Sequence, residues 1–213
     1  MNVKENLSTP DQSVALTYFT DFQARTVEAI SERIIPGDAA NAGATRAGVV
    51  YYIDRAIAGF SAGLQRVYRL GLHELEAYCR HKYTASFVDL APGKQDDVVR
   101  CFFGAEIVGP STKQDSGQDS VGADVDAALL KRLFAIIREH TLEGFFCDPV
   151  YGGNRDAVGW RLVGFPGVHW GYTAEQMQPG YDGRKIPTKT LSDLRRELKS
   201  LPGNDSFTKN DRV

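Results

Sequence analysis

Four side chains within one short stretch have the types that acid–base or metal chemistry needs: His140, Glu143, Asp148 and Arg155. Gathered in a pocket, they would bind a small molecule or a metal ion and serve a stand-alone enzyme. His140 and Glu143 lie three positions apart, a spacing that puts both on one helix face. Di-metal carboxylate bundles use paired Glu-x-x-His units with further glutamates. This chain offers one such unit in reversed order and no second. A histidine in a last helical turn, complementing the helix dipole, is the competing reading. His73, His81 and His169 have no recognisable ligand spacing.

Two glycine patterns also carry a chemical reading. Gly59-Phe60-Ser61-Ala62-Gly63 has the Gly-x-Ser-x-Gly form of a nucleophile elbow. That motif needs a preceding strand to strain the serine turn, whereas a helical pattern precedes it here. Ser61 reads better as the N-cap of the next helix. Tyr151-Gly152-Gly153-Asn154-Arg155-Asp156 has adjacent glycines whose amides can converge on an anion. Neither dinucleotide nor P-loop spacing surrounds them, and the alternative is a tight turn in which Asn154 and the glycines supply positive φ. No flavin or nicotinamide site is expected in this chain.

The elements that would position these residues are helices. Thr20 with Gln23 forms a capping-box pair, followed by Phe19, Phe22, Val27, Ile30 and Ile34 at helical spacing up to Pro36-Gly37. Val49, Val50, Ile53 and Ile57 line a second helix that stops near Gly59. Leu64, Tyr68, Gly71, Leu75 and Tyr78 line a third, to about Tyr83, with Gly71 marking close approach of another helix. A short helix is expected over Lys94–Phe103. Asp124 is placed to cap a further one with Leu130, Leu133, Phe134 and Ile137 on one face, which delivers His140 and Glu143. A last helix carries Leu191, Leu194, Leu198 and Leu201. Val158–Phe165 is the only strand candidate. The expected fold is all-α: a single-domain bundle of five to seven helices with one long structured loop, rich in glycine and aromatics, from Phe145 to Gly167. Residues 1–17 read as a flexible arm, 18–201 as the helical domain with a mobile insert over 108–123, and 202–213 as a polar tail.

Composition narrows the classes. With 213 residues, 42% of them hydrophobic, the chain is long enough to bury a substantial core. A formal net charge of -2 argues against a general nucleic-acid binder. No window approaches a membrane-spanning helix, and no export signal or twin arginine precedes the first helix. Cys79, Cys101 and Cys147 form no Cys-x-x-Cys pair, so neither a redox dithiol nor a zinc ribbon is supported. An intersubunit bridge through Cys147 and a set of buried free thiols stand as alternatives.

Aromatic density tips the reading of the loop. Phe145, Phe146, Tyr151, Trp160, Phe165, Trp170, Tyr172 and Tyr181 crowd one part of the chain together with Arg155 and Arg161. Aromatics and arginines in a glycine-rich segment suit the centre of a protein–protein interface. A satellite hydrophobic cluster is the alternative. The interface residues expected on this reading are Phe146, Cys147, Asp148, Pro149, Tyr151, Gly152, Gly153, Asn154, Arg155, Asp156, Trp160 and Phe165, and no catalytic residue is assigned.

The block Asp148-Pro149-Val150-Tyr151-Gly152-Gly153-Asn154-Arg155-Asp156, preceded by Glu139-His140-Thr141 and followed by Gly159-Trp160 and Gly164-Phe165-Pro166-Gly167, resembles the gluconate 2-dehydrogenase subunit 3 family. Ile34-Ile35-Pro36-Gly37, Gly43-Ala44 and Tyr52-Ile53-Asp54 resemble its N-terminal half, so the likeness spans roughly residues 20–170. It implies a small, helical, non-catalytic gamma subunit of a bacterial sugar or polyol dehydrogenase complex. In such a complex a large flavoprotein of the glucose-methanol-choline type holds FAD and oxidises the substrate, and a multihaem cytochrome c subunit often carries the electrons onward. The small subunit supports folding, maturation and export of the large one, so the family implies a periplasmic site. The likeness transfers no catalytic residue to this chain.

Overall fold

A computed structural model describes residues 15–103 and 125–200. Among them are seven α-helices and no strand; one isolated parallel bridge joins Gly167 to Lys189. The 108–123 insert, the 202–213 tail and most of the expected N-terminal arm lie outside the described residues. No helix among the described residues is long and apolar enough to cross a membrane.

Helix α1 (Asp21–Ile34) opens on the expected capping box, with Thr20 and Gln23 satisfying each other's backbone N–H. The chain before it is held by Asp54, a buried carboxylate in α2 (Val49–Ala58). Its oxygens accept the N–H groups of Thr17 at 2.6 Å, Tyr18 at 2.9 Å and Phe19 at 2.8 Å. Three backbone donors satisfy the buried charge, which would otherwise be costly. Val49, Val50, Ile53 and Ile57 are all buried, as their spacing predicts.

Helix α3 (Gln65–Tyr83) follows a 3-10 turn over Ala62–Leu64. Ser61 precedes that turn and not α3 itself, and its side chain makes no capping bond. Gly71 does mark a close crossing: a Cβ there would lie 2.9 Å from that of Leu133. Helix α4 (Pro92–Phe103) begins two residues before Lys94, because proline tolerates the first helical turn.

Helix α5 (Ala127–Phe146) is the axis of the bundle and packs against α1, α2, α3 and α4. Leu130, Leu133, Phe134 and Ile137 are fully buried along it, each worth about 1.5–3 kcal/mol of transfer free energy. Its N-cap is Asp126, whose side chain accepts from Leu129 N–H. The expected cap, Asp124, lies outside the described residues.

The strand expected over Val158–Phe165 is instead helix α6 (Val158–Val163), ending at Gly164 with φ 73°. Its apolar run has no neighbouring strand to pair with among the described residues, and the helix satisfies its backbone locally. Helix α7 (Leu191–Ser200) carries Leu191, Leu194 and Leu198 half-buried; Leu201 is outside the described residues.

Candidate functional site

The stretch after α5 is a chain of tight turns. Asp148 starts it. One carboxylate oxygen accepts Val150 N–H at 3.0 Å and caps a 3-10 turn over Pro149–Tyr151. The other accepts Leu191 N–H at 2.8 Å and so holds the start of α7. Gly152 then turns the backbone at φ 105°, a region where a side chain is strained. At Gly153 the reason for glycine is different: a Cβ would lie 2.1 Å from the carbonyl oxygen of Gly144.

Asn154 is the pivot. It is fully buried with φ 45°. Its amide donates to Cys147 O at 2.8 Å, and its carbonyl accepts Gly159 N–H at 2.8 Å. One side chain therefore ties the end of α5 to the start of α6. Arg155 N–H donates to Ala47 O at 2.9 Å, which fastens the turn to the entry of α2. Asp156 and Ala157 are also left-handed, at φ 56° and 53°. Three non-glycine residues in that region within four positions hold strain of about 1–2 kcal/mol each. The hydrogen bonds of Asn154 and Arg155 hold the backbone there. Sequence reading assigned positive φ to Asn154 and the glycines; Gly153 does not adopt it, whereas Asp156 and Ala157 do.

The expected interface residues divide by exposure. Tyr151 is 56% exposed, and Phe146, Asp156 and Phe165 also face solvent. Cys147, Pro149, Gly152 and Arg155 are half-buried. Asp148, Gly153, Asn154 and Trp160 are buried in the chain's own fold, so they shape the surface and do not themselves present it. Trp160, only 6% exposed, donates its indole N–H to Phe146 O at 2.7 Å and packs edge-on against Phe165. The aromatics thus form a satellite cluster around Trp160, while Tyr151 stands exposed on the turn.

Each of the four residues proposed for chemistry has its own partner within the fold. His140 is buried, with Nδ1 2.9 Å from the Tyr68 hydroxyl. Burial lowers its pKa, partly offset by Glu143 and Glu139, which favours the neutral ring. It also lies six residues before the end of α5, so the dipole-complementing role does not hold. Glu143 accepts the Tyr52 hydroxyl at 2.9 Å, and burial chiefly pushes that phenol's pKa well up. Asp148 is occupied by the two backbone donors. Arg155 lies over the Tyr51 ring, 5.7 Å from its centroid. It also faces Glu28, whose pKa is raised mainly by burial and by Glu32 and partly restored by Arg155. Among the described residues, no group of three or more His, Cys, Asp or Glu is placed to hold a metal ion.

In the phosphate-cradle alternative the amides of Tyr151, Gly152 and Arg155 are already used within the fold. Gly152 N–H is used by Pro149 O, and Gly153 N–H points to the Cys147 sulfur. Burial pushes the Cys147 thiol up to about 11, so it is a weak nucleophile. The exposed cysteine is Cys101.

Sequence reasoning missed the contribution of α2. Ala47, Tyr51 and Arg55 frame the turn from about 100 positions upstream. Only the unusual Arg-Asp pair after Asn154 hinted that the turn needed an outside partner.

A family model described as Gluconate 2-dehydrogenase subunit 3 matches residues 21–167. The matched span runs from the first residue of α1 to the Gly167 bridge, and α7 lies beyond it. No curated protein and no solved structure matches the chain.

Proposed function

The chain belongs to the gluconate 2-dehydrogenase subunit 3 family, and from that premise we propose that it is a non-catalytic small (gamma) subunit. Its partner is the FAD-holding large subunit of a sugar, polyol or alcohol dehydrogenase, which it binds, stabilises and helps to mature. Substrate oxidation and the flavin belong to that partner, and a cytochrome c subunit completes the electron path. One observation carries the reading beyond family membership: the exposed Tyr151 rides on a turn that buried Asn154, Asp148 and Trp160 hold rigid. A rigid aromatic loses little conformational entropy on binding, which favours it as an anchor. That His140, Glu143 and Asp148 each have their own partner within the fold supports a scaffold over a stand-alone active site.

Co-expression with the large subunit tests it. Replacing Tyr151 and Arg155 with alanine should lower the yield of complex and the flavin content of the large subunit. Wild-type yield and flavin loading in that double variant would overturn the proposal.

A further inference from the structure

The face around the Asn154 turn is unusually rich in guanidinium groups for a chain of net charge -2. Helix α2 and its entry supply Arg46 and Arg55; the turn and α6 supply Arg155 and Arg161. Two of the four have built seats. Arg55 lies against Gly152, where a Cβ would come within 2.8 Å of its Nη1. Arg155 lies beside Gly48 and over Tyr51. The remaining two, Arg46 and Arg161, line a notch of about 290 Å³ together with Asn41, Val158 and Leu162. No carboxylate lines that notch. Neither arginine has an ion pair or side-chain hydrogen bond among the described residues. Arg80, Arg100 and Arg196 pair with carboxylates on their own helices, whereas Arg66, Arg69, Arg132 and Arg138 are unpaired among the described residues; what sets Arg46 and Arg161 apart is that they line one notch.

Two guanidinium groups in one notch without a carboxylate in its lining can receive an anion. A carboxylate accepts two parallel bonds from a guanidinium, so an arginine pair can satisfy both of its oxygens; the Asn41 amide beside them is already given to Asp38. The apolar wall formed by Val158 and Leu162 shields the pair from part of the solvent, which strengthens it. Val158, which directly follows the turn, is part of the notch lining, so the notch borders that turn.

We infer that the notch between Arg46 and Arg161 receives an acidic side chain of the catalytic flavoprotein subunit. The inference rests on the proposed subunit role and names the chemistry of the complementary surface: an Asp or Glu set among apolar groups. It also implies that association is salt-sensitive and fast, because complementary charge steers encounter.

The test uses the co-expressed complex, with affinity measured between about 50 and 500 mM NaCl. Converting Arg46 and Arg161 to glutamate should weaken binding roughly tenfold or more at low salt and flatten the salt dependence. The lysine pair, R46K with R161K, should keep the salt slope while losing part of the affinity, since it keeps charge but not the bidentate fork. Arg69→Glu on α3 should leave both unchanged. Wild-type affinity and salt slope in the glutamate pair, with Tyr151→Ala still weakening the complex, would overturn the notch and leave the subunit role standing. If the unaltered chain forms no complex at all, both readings fall. Titration of the chain with inorganic phosphate supplies a third arm. Binding that the glutamate pair abolishes, without any effect on the complex, would assign the notch to a free anion and overturn the inference.

Discussion

Asn154 gives the most exacting test of how the candidate surface is held. Replacement by alanine removes two hydrogen bonds and leaves Cys147 O and Gly159 N–H without their partners. Each unpaired buried group costs about 1–3 kcal/mol. Alanine at φ 45° also suffers the left-handed penalty that asparagine partly escapes, about 1 kcal/mol. The expected total is about 3–7 kcal/mol. Glycine separates the terms: it loses the same bonds without the strain and should recover about 1 kcal/mol relative to alanine. Aspartate is the sharpest probe. It keeps the acceptor for Gly159 N–H but turns a second oxygen onto Cys147 O. Its loss should match that of alanine near neutral pH and shrink in acid, where a protonated carboxyl donates to the carbonyl. Urea unfolding measures the global effect, and exchange of the Gly159 amide measures local opening of the turn. An alanine variant within about 0.5 kcal/mol of wild type, with unchanged Gly159 exchange, would refute the pivot role.

Two further predictions concern the turn and the bundle. Asp148→Ala should loosen the start of α7, because Leu191 N–H loses its acceptor while the Lys189 backbone bonds to Pro166 and Val168 remain; limited proteolysis should then cut faster between residues 190 and 200 while the bundle stays folded. His140 should make stability pH-dependent with a definite sign. Its folded pKa is lowered, so the neutral form is fully stabilised above the unfolded value of about 6.5. As pH falls below that value, stability declines by up to about 1.4 kcal/mol per unit until the folded pKa is reached. Glu28, whose folded pKa is raised, acts in the opposite sense: its contribution is present in acid and is lost as pH rises through its folded pKa. Unfolding midpoints between about pH 7.5 and 5 should therefore fall less, or rise, in His140→Gln relative to the wild type, because the variant leaves the Glu28 term unopposed.

Much of the fold was legible because it is locally encoded. The Thr20–Gln23 cap, the burial of Val49, Val50, Ile53 and Ile57, and the glycine crossing at Gly71 all follow from periodicity and side-chain size. The apolar run from Val158 was misread as a strand because a short run carries no period of its own. What decided it was the left-handed entry at Ala157 and the absence of any strand to pair with among the described residues.

The all-α class was determined by the sequence alone, since local spacing and residue type carry it, and the family is carried by the motif block from Asp148 to Asp156. Which of those residues face outward was not so determined. Asn154, Asp148 and Trp160 have the polarity or size of surface anchors, yet the fold turns them inward to satisfy backbone groups of α5, α6 and α7. The gathering of Arg46, Arg55, Arg155 and Arg161 on one face was likewise decided only in three dimensions. It depends on α2 crossing α5 and on one backbone bond from Arg155 to Ala47, a pairing between residues that no local pattern connects.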